Sequence, residues 1–532
     1  MKTSVALTAI AWLLSASAVL AETPDPAPIR TENGFVRGQN ENGLTVYRGI
    51  PFAAPPVGER RWRAPEPVGS WDGTRRADQF APACMQLTRD NAVVGSSALP
   101  VSEDCLYLNI WTPAKSASGQ LPVMVWLPGG GFIAGATSTP TYGGDNLARK
   151  GVVVVSVAYR IGAFGFLATP ELSAESGGHG SGNYGLLDQI AALKWVQRNI
   201  AAFGGDPNRV TVFGESAGGI AVSMLAASNL AKGLFVGAIS ESGGSFAPAR
   251  QSEEGGENVM SLPLAERIGR EFLDGLGAHS LAEARQLPAK AVVDAAGSAP
   301  NRFWPTLDGY VIADDQYELY RAGKFNDTPV LIGTNSDEGA IFAQTMTAQG
   351  YAQFVKAGFG DFADRILNAY PAGSPEQSLR SFRNVYRETA FAWHTWAWAD
   401  LQSRIGKGKV FVYYFDHRPP YPNVPPYQNW GAAHGGELSY VFGHHERPSL
   451  AWTPTDMALA DAISTYWVNF AKTGDPNGAG LPAWPAFSPT DPAAMHFTDK
   501  PAAGPYPNLE KLRLWDNYYA WRRGEKVPDA SQ

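Results

Sequence analysis

Short apolar segments rich in β-branched residues alternate along this chain with stretches whose apolar residues recur at helical spacing. Residues 123–127 are continuously apolar, and residues 152–157 are five valines and one serine. Runs this short and this β-branched read as buried strands. Leu187, Ile190, Ala191, Lys194 and Trp195 then fall at helical spacing, and the pattern runs on to Ile200. Val210–Phe213 is a further strand, and the small, apolar stretch Ala217–Ala227 is a helix that must pack closely. Residues 238–239, 330–332 and 410–415 continue the series of strands. Strands without a polar face, separated by helices, specify an α/β fold with a large, mostly parallel sheet. Residues 250–325 and 345–405 carry more helical pattern, and we read them as insertions roofing the sheet of one domain spanning 22–532. The Pro-rich stretch 419–433 reads as a long, stiff surface loop.

The 532 residues suffice for a sizeable core without disulfide support. A net charge of −7 with no basic block argues against a nucleic-acid partner or a polybasic membrane patch. A positive start at Lys2, an apolar run over residues 5–14 and small residues before Glu22 read as a secretory leader, residues 1–21, with Ala18 as a second cleavage candidate. The run is too short to span a bilayer, and no later stretch approaches the required length. Secretion or a periplasmic location is therefore expected. The two cysteines, Cys84 and Cys105, then read as one disulfide. No group of residues has the spacing of metal ligands, so no metal or cofactor is expected.

Two motifs carry chemistry. Gly214-Glu215-Ser216-Ala217-Gly218 fits G-x-S-x-G and lies between a strand and a helix, the context of a nucleophile elbow. Such a turn strains the backbone at the serine, exposes its hydroxyl, and aims the Ala217 amide and the helix N-terminus at one spot. The second motif is Gly129-Gly130-Gly131-Phe132, directly after the strand 123–127. Amides unshielded by side chains can converge there on a developing negative charge.

Around these motifs the chain resembles the type-B carboxylesterases, the branch of α/β hydrolases that includes cholinesterases and bacterial p-nitrobenzyl esterases. The resemblance covers residues 30 to 520. Phe203-Gly204-Gly205-Asp206-Pro207 through Gly218 matches the family's serine signature, and Glu103-Asp104-Cys105-Leu106-Tyr107-Leu108-Asn109 its second signature. Tyr47 to Ala53 and Asn183 to Gln189 match two further segments. The resemblance implies an α/β-hydrolase fold and a serine, acid, histidine triad. It assigns Ser216 as nucleophile and His434, in Gly-Ala-Ala-His-Gly-Gly-Glu-Leu, as base. The acid lies in Asn335-Ser336-Asp337-Glu338-Gly339, where the family's glutamate before glycine selects Glu338. It assigns the oxyanion hole to Gly130, Gly131 and Ala217, matches Cys84 and Cys105 to the family's first disulfide, and places Ser242 near the acid.

The implied activity is hydrolysis of small to medium, uncharged alkyl or aryl esters through an acyl-enzyme. The alternatives are an esterase for bulky hydroxycinnamoyl or polyacid esters, and a non-catalytic adhesion module of the same fold. Phe132, Glu215, Phe303, Trp304, Phe342, Trp393 and Trp396 are candidate pocket residues, and Arg302 a candidate partner for an acidic ester. His444 and His445 read as a solvated pair, His179 as a loop residue and His394 as core or pocket lining. Pro128 stands where many relatives have histidine or tyrosine, and residues 85–104 hold no aromatic side chain for a quaternary ammonium group. The expected partner is a small-molecule ester, and a monomer is expected.

Overall fold

The computed structural model describes residues 25–87, 100–252, 258–297, 302–444 and 450–527. The expected leader, most of the loop 85–104, and His445 lie outside the described residues. The central sheet has eleven strands. In chain order they are β1 (Gln39–Glu41), β2 (Leu44–Pro51), β3 (Tyr107–Thr112), β4 (Leu121–Leu127), β5 (Val153–Val157) and β6 (Gly205–Glu215). They continue with β7 (Gly237–Glu241), β8 (Val330–Asn335), β9 (Val410–Phe415), β10 (Ala493–Phe497) and β11 (Ala502–Pro505). The spatial order is β1-β2-β3-β5-β4-β6-β7-β8-β9-β10-β11.

From β5 to β10 every neighbouring pair is parallel, and β1–β3 and β11 pair antiparallel at the two edges. The apolar runs explain this arrangement. Val123, Val125, Val153, Val155, Val210 and Val212 face one core, while Met124, Trp126, Val154, Phe213, Ile239 and Leu331 face the other. A strand alternates its side chains between two faces, so a run with no polar residue demands cover on both. Helices α1 (Tyr184–Asn199) and α2 (Ala217–Ala227) give part of that cover. The antiparallel edge strands were not among the sequence expectations, because β1 and β3 carry polar residues and β11 is a short run of small residues ending in proline.

The two expected insertions are helical. Residues 345–405 end in α3 (Pro375–Arg387) and α4 (Trp393–Ile405), joined by a π-helical turn over Glu388–Ala392. Helix α5 (Pro454–Thr473) covers the second core. The stretch 419–433 is less superficial than its prolines suggest. Tyr421 and Trp430 are buried and meet edge to face, because the loop folds back over Ala340 and Ala433. Among the described residues no helix is long and apolar enough to cross a membrane. Cys84 and Cys105 are joined in a disulfide, and beside it Arg61 makes a two-pronged ion pair with Glu103.

The turn from β6 into α2 is where backbones come closest. A Cβ on Gly218 would stand 2.0 Å from the Leu127 carbonyl oxygen, and one on Gly214 would stand 2.5 Å from the Gly218 carbonyl carbon. Gly218→Ala should therefore separate α2 from the end of β4 and lower the unfolding free energy by about 1–3 kcal/mol. Chemical denaturation checks this, and an unchanged transition midpoint would show that the turn yields without strain.

Candidate active site

Ser216 sits between β6 and α2 with φ 55° and ψ −126°, a conformation that costs a non-glycine residue roughly 1–3 kcal/mol. Its backbone is tied down on both sides: its amide donates to the Glu241 carbonyl at 2.8 Å and its carbonyl accepts from Ile220 at 2.7 Å. Ala217 is the first residue of α2, so its amide has no partner within the helix.

The glycine run turns sharply after β4. Gly130, Gly131 and Phe132 all have positive φ, at 117°, 62° and 55°. Gly129 lies against the elbow, since a Cβ there would stand 3.1 Å from the Ser216 Cβ. The loop closes through bonds from the Ile133 and Ala134 amides to the Gly130 carbonyl. Among the described residues no backbone acceptor takes the amides of Gly130 or Gly131. The start of the run thus lies against the elbow at the N-terminus of α2. At the start of the run, the Tyr159 hydroxyl donates to the Pro128 carbonyl at 2.5 Å.

Beyond β8 and β9 lie the acid and the histidine. His434 Nδ1 is 2.6 Å from Glu338 Oε2, and both residues are buried. The other Glu338 oxygen accepts from Ser242 Oγ at 2.6 Å and from the Asn335 amide at 2.7 Å. Asp337 turns away, accepting from the Gly431 amide at 2.8 Å and pairing with Arg383 at 3.4 Å. Of these two adjacent acids, Glu338 is the one whose carboxylate meets the imidazole. Asn335 holds the histidine loop from the other side, donating to the Ala433 carbonyl at 2.9 Å and to Glu437.

His434 Nε2 lies 3.3 Å from Glu215 Oε1, in the residue preceding Ser216. Glu215, Glu241, Glu338 and Glu437 are all buried around this point. Burial alone pulls the His434 pKa down, but the charges of Glu215 and Glu338 outweigh it and hold the imidazole above its ordinary value. Burial, then Glu215 and Glu338, push the Glu437 carboxyl above the ordinary range. Glu241 is raised by burial and then by Glu437, while Trp467 donates to it at 2.8 Å.

Several site residues were not foreseen. Phe391 stacks on His434 with ring centroids 4.4 Å apart. It stands on the π-helical turn, two residues before the pocket candidate Trp393, and was not itself singled out. Glu437, three residues after His434, carried a signal in its spacing, since that offset returns a side chain to the same neighbourhood. Asn335, Glu241 and Tyr159 carried none beyond their place at strand ends.

The pocket candidates divide. Phe342 is 41% exposed, stacks on Tyr386 and lies 5.7 Å from His434 between ring centroids, at the mouth of the site. Phe303 lines an apolar cavity with Met85, Leu87, Ile133 and Val293. Phe132 and Trp304 are buried edge to face on each other and anchor the glycine loop from behind. Trp393 and Trp396 face a separate cavity, where both indoles donate to Asp516. Arg302 pairs with Glu271 at 2.9 Å. His394 accepts from the Phe246 amide in the core, and burial lowers its pKa to about 4. His179 stacks on Tyr310. His444 is not solvated as expected: it sits in a crevice with Trp111 and Arg149 and meets the Gly143 carbonyl at 2.8 Å and Asp145 at 3.4 Å.

Residues 25–515 match the sequence profile of the carboxylesterase family. The chain belongs to that family. It is 39% identical over 499 residues to a fumonisin B1 esterase of Sphingopyxis macrogoltabida, covering 90% of this chain and 89% of that one. It is 37% identical over 481 residues to a para-nitrobenzyl esterase of Bacillus subtilis (strain 168), covering 86% and 92%. A solved structure of a thermophilic PNB esterase superposes with a TM-score of 0.80 at 34% identity, over 92% of this chain and 99% of the other. The fold is that of the α/β hydrolases, and the protein is a carboxylesterase, a serine ester hydrolase.

The charge arrangement is testable apart from turnover. Glu215→Gln removes a carboxylate 3.3 Å from His434 Nε2, so the His434 imidazole should titrate at lower pH than in the wild type. Asp337→Asn, which changes a group turned away from the ring, should shift it less. NMR titration of the histidine ring signals checks both, and equal shifts in the two variants would refute this geometry.

Proposed function

We propose that Ser216 is the nucleophile, His434 the general base and Glu338 the residue that holds the histidine. The observation that carries this reading is the buried His434–Glu338 pair, which meets the strained elbow at Glu215. Ser216 Oγ attacks the ester carbonyl while Nε2 of His434 takes its proton. The amides of Gly130, Gly131 and Ala217 receive the negative charge that forms on the carbonyl oxygen. His434 then returns the proton to the leaving alcohol. Water, deprotonated by the same imidazole, releases the acid and restores Ser216. Glu338 keeps Nδ1 protonated and stabilises the imidazolium without itself taking the proton.

The favoured substrates are uncharged alkyl or aryl esters of small to medium size. Phe342 and Phe391 give an aromatic wall beside His434. The buried glutamates around it disfavour an anionic acyl group, and the charge of Arg302 is committed to Glu271. The aromatic-free stretch 85–104 offers no cation–π site of its own, which argues against choline esters. A second reading, a bulkier ester, is favoured by the 39% identity to an enzyme named for fumonisin B1. Specificity constants for p-nitrophenyl butyrate and fumonisin B1 separate the two readings. We further propose one domain over residues 22–532, export with removal of residues 1–21, and action as a monomer. The apolar run 5–14 and the disulfide support export.

Ser216→Ala should reduce hydrolysis of p-nitrophenyl butyrate by at least about 10³-fold while leaving the melting temperature at or above that of the wild type. A phosphonate probe should label the Ser216 peptide alone. Retention of a tenth of wild-type activity would remove Ser216 as nucleophile.

Because His434 must be neutral to accept a proton, kcat/KM should fall as pH drops through its pKa. The neighbouring carboxylates raise that value, so the acid limb should lie above the reference imidazole value of about 6.5. Glu338→Gln should depress kcat strongly at all pH values, while Asp337→Asn stays far closer to wild type. The reverse ranking would exchange the two acids.

A further inference from the structure

The glycine loop 129–135 has no side chain of its own at its glycines with which to hold the conformation that presents the Gly130 and Gly131 amides. Besides the packing of Phe132 on Trp304, hydrogen bonds from outside fix it at three points. Tyr159 holds the Pro128 carbonyl at its start, and the Gly162 amide donates to the Phe132 carbonyl at 2.6 Å in its middle. The third tie is Gln86. Its Nε2 donates to the Gly135 carbonyl at 2.8 Å, and its Oε1 accepts from the Gly135 amide at 2.9 Å. One primary amide thus takes both polar groups of a glycine, as a neighbouring strand would.

Gly135 is packed directly on the donor end of the loop. With φ 124°, it lies so close that a Cβ would stand 2.4 Å from the Gly129 carbonyl oxygen. A Cβ on Gly130 would stand 2.3 Å from the Ala134 carbonyl oxygen. Residues 129–130 and 134–135 therefore move as one unit, and a displacement at Gly135 is carried to the amides beside Ser216. Gln86 is itself held: Nε2 also donates to the Cys84 carbonyl at 3.0 Å, and Cys84 is fixed by its disulfide to Cys105.

We infer that Gln86 is a positioning residue for the oxyanion donors, acting through Gly135. The inference rests on the reading of Gly130 and Gly131 as oxyanion donors. It gives the disulfide a second role, since the covalent link fixes the backbone from which Gln86 reaches the loop. Because the amides must meet the oxygen in its tetrahedral state, loosening them acts on the transition state and leaves ester binding largely intact.

The test compares the wild type with Gln86→Met, which removes both bonds, and Gln86→Glu, which keeps length and acceptor but loses the donor. Rates for p-nitrophenyl butyrate are expressed per active site titrated with a phosphonate, so a poorly folded fraction does not count as lost catalysis. We expect kcat to fall on the order of 10- to 100-fold with KM within about threefold of wild type. Inhibition by an aryl trifluoromethyl ketone, whose adduct carries an oxyanion, should weaken by a similar factor. Full kcat and ketone affinity per titrated site in either folded variant would overturn the inference, and Gln86→Glu alone decides if Gln86→Met does not fold. A fall in kcat with unchanged ketone affinity would also overturn it. Should the wild type hydrolyse the ester yet bind the ketone no better than the corresponding methyl ketone, the oxyanion reading itself fails.

Discussion

The carbonyl of Leu127, at the end of β4, leaves no room for a side chain at position 218. That one steric fact joins the two halves of the proposed catalytic apparatus. It holds the first turn of α2 against the strand from which the glycine loop departs, so the elbow and the loop share a border. It also explains why the sequence around Ser216 is so small: Gly214, Gly218 and Gly219 each face backbone where a Cβ would stand. The strain at Ser216 persists because its neighbours on both sides are hydrogen-bonded into the sheet and the helix. A serine on a free loop would relax out of this conformation.

The second organising element is charge without solvent. Buried glutamates crowd a single histidine, and Glu338 accepts from both a hydroxyl and a backbone amide on the oxygen not facing the ring. That asymmetry sets Glu338 apart from Glu241 and Glu437, whose ionisation is opposed by burial and by their neighbours. Equal carboxylates in one hole cannot all be charged. Hydrogen-bond donors decide which of them is the partner of the histidine.

The sheet was legible because strands buried on both faces must be written in apolar residues, and β5 and β9 run as their valines and aromatics indicate. The edge strands were not, since β1 and β11 face solvent and share the composition of loops. At the site, Ser216 and the glycine run announce themselves because their backbones need glycine, a requirement that composition records. Glu338 and His434 could be picked out only through family resemblance, since a buried ion pair 96 residues apart leaves no local trace. Phe391 was hidden for a related reason. A phenylalanine on a π-helical turn looks like any other in an aromatic-rich helix. Trp393 and Trp396, two and five residues later, face a different cavity.

The π-helical turn at Glu388–Ala392 also bears on how such an enzyme changes over generations. It inserts one residue into an otherwise continuous helix made of α3 and α4. Loss of a single codon there would restore an ordinary α-helix, and each residue of register turns the downstream helix by about 100°. The ring now lying on His434 would swing to another face while α4 kept its composition. A point mutation at Phe391 changes one side chain in place, whereas a deletion nearby would re-aim every side chain downstream of it. A descendant that kept the turn would keep an aromatic ring over the histidine, and one that lost it would acquire a differently shaped surface in one step.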